Sequence, residues 1–128
     1  MNATNALGGA KVVAFVGTLR ADRARAFYRD TLGLKLVSED NFALVFDVNG
    51  TMLRVTLVPH LTPAGFTVLG WQVPDIAATV RNLQEAGVAL ERFRGRAQDE
   101  LGIWTAPGGA RVAWFKDPDG NILSVTQF

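Results

Sequence analysis

The chain has no cysteine, and only one histidine and one tyrosine, among its 128 residues. The first absence excludes disulfides, thiolate metal sites and cysteine nucleophiles, and leaves the redox compartment open. No apolar run approaches the ~20 residues that span a bilayer. No sign of charge dominates either: 13 basic against 12 acidic side chains leave a formal +1, no footprint for nucleic acid or an anionic membrane. Basic residues do cluster as Arg20, Arg23 and Arg25, and again as Arg92, Arg94 and Arg96; both groups read as solvated, one on a helix face and one in a loop. The start, Met1 to Ala10, lacks the basic and apolar regions of a signal peptide and reads as a loose tail. A cytoplasmic protein without nucleic-acid or membrane partners is the expectation.

What is present is the composition of one globular domain, 48% apolar and 20% charged, with enough chain to bury a core. Its C-terminal stretch is an apolar strand from Ala113 to Lys116, a turn of Asp117-Pro118-Asp119-Gly120-Asn121, and an alternating strand from Ile122. Asp and Asn bond locally in turns, Pro presets φ and Gly supplies positive φ. The stretch occurs twice. Ala43, Asp47, Gly50, Leu53, Val55 and Thr56 recur as Ala113, Asp117, Gly120, Leu123, Val125 and Thr126, at a constant offset of 70 residues.

The remainder repeats as well. Lys11 to Thr18 reads as a buried strand, followed by a helix from about Arg20 to Thr31 with Gly33 as its cap. Leu34 to Val37 begins a strand, and Phe42 to Val48 with Thr51 to Val58 makes a hairpin around Asn49-Gly50. After Pro59 to Gly65, a linker by composition, the order restarts: a strand over 66–73, and a helix from Pro74-Asp75 with Gly87 as its cap. Val88 to Glu91, Ile103 to Thr105 and the final hairpin supply the remaining strands, and 92–100 reads as a polar loop. The pattern is α+β: two tandem βαβββ modules, over 11–58 and 66–128, joined by linker 59–65.

Arg23 to Leu34, Val73-Pro74-Asp75-Ile76 with Gly87-Val88, and Asp117 to Asn121 together resemble the vicinal-oxygen-chelate superfamily of glyoxalases, bleomycin-resistance proteins and extradiol dioxygenases. The resemblance implies that each module curls into a half-barrel with one helix outside, that the pair encloses a cleft, and that the chain forms a homodimer. Active relatives hold a divalent metal on the first and last strands of the modules. Those positions fall here at Lys11 (or Val13), Arg54, Val68 and Ser124, none of them a usual ligand for such a cation. Metal-dependent catalysis is put in doubt, and no cofactor is expected. His60, in the linker after Pro59, reads as a solvated loop residue, or as a proton-transfer group if the linker covers the cleft.

Alternation then selects the cleft lining: Phe15, Met52, Arg54, Gln72, Phe115 and Ser124, with Trp104 at the mouth, where core and ligand contact are equally open. Carrying one face across both sheets adds Ala113 to the cleft and sends Trp71 and Trp114 to the helix side. An inward guanidinium at Arg54 needs an anion, either a ligand's or an internal partner such as Asp47 or Glu100. The expectation is a metal-free protein that binds a flat, partly apolar small molecule. The alternatives are a glyoxalase-like lyase, isomerase or dioxygenase with an absent metal or one at Glu100, Asp47 or Gln72, and a protein-interaction module.

Overall fold

The β-branched run after Lys11 forms strand β1 (Val13–Thr18), and helix α1 (Ala21–Arg25) follows. The computed structural model describes residues 6–128, so the tail expected over Met1 to Ala10 lies partly outside the described residues. Beyond α1 the backbone widens into a π-helical stretch, Ala26–Thr31, whose end is marked by the Leu32 N–H reaching back to the Phe27 carbonyl. Gly33 leaves it at φ 76°, where a Cβ would be strained. Strands β2 (Lys35–Glu39), β3 (Ala43–Val48) and β4 (Thr51–Leu57) complete a sheet ordered β1-β4-β3-β2, with β1 parallel to β4.

The second sheet repeats this wiring. Strand β5 (Thr67–Gln72) leads to helix α2 (Ile76–Glu85), then β6 (Leu90–Glu91), β7 (Trp104–Thr105), β8 (Arg111–Lys116) and β9 (Ile122–Gln127). Its order is β5-β9-β8-β6 with β7 also on β8, and β5 runs parallel to β9. Helix α2 starts where Pro74-Asp75 places it, because Asp75 Oδ1 accepts the Ala78 N–H at 3.1 Å. The edge strands β1 and β5 lie side by side, and one apolar core beneath the helices unites the halves. Tyr28, Phe46, Leu53, Ile76, Phe115 and Leu123 are among its fully buried large members. No helix among the described residues is long and apolar enough to cross a membrane.

The final turn bolts the two halves together. Asp117, 5% exposed, accepts hydrogen bonds from the Tyr28 hydroxyl at 2.6 Å and from Asn121 Nδ2 at 2.8 Å. It also takes the N–H groups of Asp119 and Asn121, each at 2.9 Å. Asn121 Nδ2 reaches the Gly17 carbonyl at the same time, while Asp119 accepts from the Thr18 hydroxyl and the Leu19 N–H. Burial, and then the Asp117 charge beside it, push the Tyr28 phenol far above the usual tyrosine range.

One face assignment is corrected. Phe115 pairs with Leu123 and Ala113 with Val125, so both point to the helix side, 1% and 0% exposed. Phe115 stacks on Trp71, centroids 6.3 Å apart, within the core. Trp114 takes the opposite side, across from Ser124. The cause is the turn. The first hairpin closes at Val48 and Thr51 around two residues, whereas the second closes at Asp117 and Asn121 around three, Pro118-Asp119-Gly120. One extra residue reverses every side chain on the preceding strand relative to its counterpart.

Candidate functional site

The sheet faces turned away from the helices carry the exposed chemistry. On the first sheet, Phe15 pairs with Arg54, Arg54 with Val45, and Val13 with Met52, so all five share this open face. Phe15 is 64% exposed and Met52 43%. Large apolar side chains cost free energy when left in water, and soluble chains seldom collect them on one sheet face without an occupant. Arg54 is half-buried among them. The ion pair expected with Asp47 or Glu100 is not formed, and no carboxylate among the described residues bridges to Arg54. Its charge adds to the Phe42 and Ala43 N–H groups in holding the Asp40 carboxyl below its usual range.

On the second sheet the same face presents Ser124 opposite Gly70 and Trp114, and Gln72 opposite Thr126 at the strand end. A Cβ on Gly70 would come within 2.7 Å of Ser124 Oγ, so this glycine lets the serine fill the space above it. Trp104 pairs with Val112 and so lies on the open face with Trp114. Phe15, Met52 and Arg54 are thus gathered on one sheet, and Gln72, Trp104 and Ser124 on the other; Phe115 is excluded. Alternation put Trp114 on the wrong side, and Phe93 with the arginines around it lies in a loop that alternation does not reach; its signal is the aromatic within the basic run Arg92-Phe93-Arg94-Gly95-Arg96.

Cavities follow these faces. One of about 450 Å³ lies over the first sheet against Val13, Val37, Met52 and Lys35. Another, about 430 Å³, lies at the second sheet against Phe66, Thr67, Phe93, Arg94, Arg96 and Trp114. A smaller one of about 320 Å³, with Gly70 and Gln72 in its wall, sits where the two sheets meet. The helix side holds a crevice of about 220 Å³ lined by Leu32, Leu83, Trp71 and Phe115, with no charged group. A further cavity of about 360 Å³ beside the helix ends does carry charge, from Glu91, Lys116 and Asp117, but it lacks the exposed apolar side chains of the open face.

At the positions where the resemblance places a metal, the residues present do not fit a divalent cation. Val13, Arg54 and Ser124 face the open side, and Val68 is the extra residue in the register shift between Thr67 and Leu69. A guanidinium repels a cation, and a lone serine hydroxyl is a poor ligand. Among the described residues no three His, Asp or Glu side chains converge, and His60 stands exposed in the linker.

Two βαβββ modules wired alike, with an open sheet face between them that carries apolar and cationic groups, define a paired-module scaffold. The chain belongs to the Glyoxalase/Bleomycin resistance protein/Dioxygenase superfamily, whose family model matches residues 11–125. Its fold is similar to a lactoylglutathione lyase of Agrobacterium tumefaciens, at 18% identity over 93% of each chain with a TM-score of 0.72. A superfamily member from Sphaerobacter thermophilus is similar at 24% identity over 94% of this chain and 98% of that one, TM-score 0.72. TnmS3, an antibiotic binding protein from Streptomyces sp. CB03234, is similar at 26% identity over 93% and 95%, TM-score 0.68. No curated protein matches the chain.

Proposed function

We propose that this protein binds a flat, partly apolar small molecule on the open sheet face, without a metal, as a cytoplasmic homodimer in which the partner copy helps close the cleft. The observation that carries the reading is the set of exposed Phe15, Met52 and Val13 around Arg54, a half-buried cation with no carboxylate partner among the described residues. Apolar walls with a few orienting polar groups suit a small ligand. The likeness to an antibiotic binding protein supports the same class of task. Binding needs shape and desolvation alone, which fits a face on which no three His, Asp or Glu side chains converge among the described residues.

Native mass spectrometry on protein purified without chelators or metal-affinity resin tests the reading. The expected spectrum is a metal-free dimer that takes up a planar hydrophobic compound, with uptake weakened in Arg54→Gln. A stoichiometric metal would overturn it, as would an Arg54→Gln variant that changes stability and leaves uptake intact.

A further inference from the structure

The two basic triplets are not equivalent. In the first, Arg20 pairs with Asp22, Arg25 with Glu39, and Arg23 donates to the Pro118 carbonyl. In the second, Arg92 donates to the Glu100 carbonyl, but neither Arg94 nor Arg96 has a carboxylate partner among the described residues. This loop is firmly built. Gln98 donates to the carbonyls of Glu91 and Gly102 and accepts the Phe93 N–H, and Asp99 accepts the N–H groups of Leu101 and Ile103. Such anchoring places Arg96 over two indoles, 4.6 Å from the Trp104 centroid and 5.1 Å from that of Trp114. Stacking uses the guanidinium's faces and leaves its N–H donors, which lie in the plane, for an acceptor. Trp114 is itself fixed, by Nε1 donating to Thr67 Oγ1 at 3.1 Å and by the ring of Phe93 meeting it edge-on at 5.3 Å.

We propose that the cavity of about 430 Å³ bounded by Phe66, Phe93, Trp114, Arg94 and Arg96 takes an aromatic carboxylate. The carboxylate accepts from Arg94 and Arg96, and the ring lies against the aromatic wall. The inference rests on the open face being a small-molecule surface, and it names the ligand class for the second sheet's part of that face, apart from the Arg54 part on the first. A neutral ligand closing this cavity would strip water from two unpaired guanidiniums at a net loss, and a cationic one would be repelled. A carboxylate supplies the acceptors that a planar guanidinium fits two at a time. The flatness requirement comes from the rings, which favour offset or edge contact with another π-face.

Isothermal titration calorimetry with 2-naphthoate, 2-naphthamide and cyclohexanecarboxylate separates charge from shape. The expected result is 2-naphthoate bound at least about tenfold more tightly than either of the others, the scale of one charge-assisted hydrogen bond. Arg96→Gln and, independently, Arg94→Gln are each expected to remove the advantage over the amide, whereas Arg81→Gln on α2 preserves it. Arg94 has no ion pair among the described residues, so its variant guards against a misfolded loop as the explanation. Equal affinity for the acid and the amide would overturn the carboxylate class and leave the small-molecule reading standing. No binding by any planar compound, charged or neutral, would overturn both.

Discussion

The two hairpin turns share a sequence pattern and do opposite things. Asp47 is exposed, and its carboxylate accepts one N–H, that of Gly50 at 2.9 Å. Asp117, its counterpart 70 residues on, is buried and accepts four hydrogen bonds, one of them from the first module's Tyr28. The first turn merely reverses the chain at the rim. The second joins the modules, because its extra residue swings Asp119 and Asn121 onto the end of β1. A duplicated element has been freed at one copy and fastened at the other, and the open sheet face depends on the fastened one to hold the two sheets in register.

Replacing the two aspartates is the strongest way to break that comparison. Asp117→Ala leaves the Tyr28 hydroxyl and the Asn121 amide buried without this acceptor, so a loss of about 3–4 kcal/mol is expected. Asp47→Ala removes one solvent-exposed bond and is expected to cost under about 1 kcal/mol. Urea unfolding of both variants measures the pair, and comparable losses would mean that the second turn is no clasp.

Tyr28 sharpens the same point through pH. Its folded pKa is raised, by burial first and by the Asp117 charge second, so the native state resists ionisation. Below about pH 10 the folded and unfolded chains both keep the phenol proton, and this contribution is whole. Above that the unfolded chain releases it first, and stability falls by about 1.4 kcal/mol per pH unit as pH climbs toward the folded value. Tyr28→Phe is expected to cost about 1–2 kcal/mol at neutral pH and to flatten this alkaline fall. With one tyrosine in the chain, phenolate absorbance reports on Tyr28 alone. Phenolate appearing well before unfolding would show the hydroxyl to be accessible and the clasp loose.

Much of this architecture could be read from residues. The Asn49-Gly50 pair and the glycines at 33 and 87 mark places where the backbone takes positive φ, Pro74-Asp75 marks a helix start, and all four appear as read. On the first sheet Phe15, Met52 and Arg54 share one face, as alternation requires. Alternation fixes relative faces within a strand, but the phase crosses a hairpin only through the loop length. Transferring the two-residue loop of the first hairpin to the second put Phe115 in the cleft and hid Trp114. The side chain of Arg96 was illegible for a different reason: its perch on two indoles depends on Gln98 and Asp99 organising a loop that has no periodicity to read.

The glycines of the two turns give the finest version of the comparison. Gly50 and Gly120 sit at φ 92° and 87°, where any Cβ is strained. Around Gly50 no atom lies within 4 Å of an added Cβ, so Gly50→Ala carries backbone strain alone, about 1 kcal/mol. At Gly120 the same Cβ would approach Pro63 Cγ to 3.2 Å, and a proline ring yields little. Gly120→Ala therefore carries the same strain plus crowding against the linker, an excess of about 0.5–1 kcal/mol over Gly50→Ala. Pro63→Ala in the Gly120→Ala background is expected to recover that excess and to leave Gly50→Ala unaffected. If the two glycine variants lose equal stability, or if trimming Pro63 recovers nothing, the linker does not press on the last turn. The clasp would then end at Asp119 and Asn121, and the seven residues between the modules would be connection only.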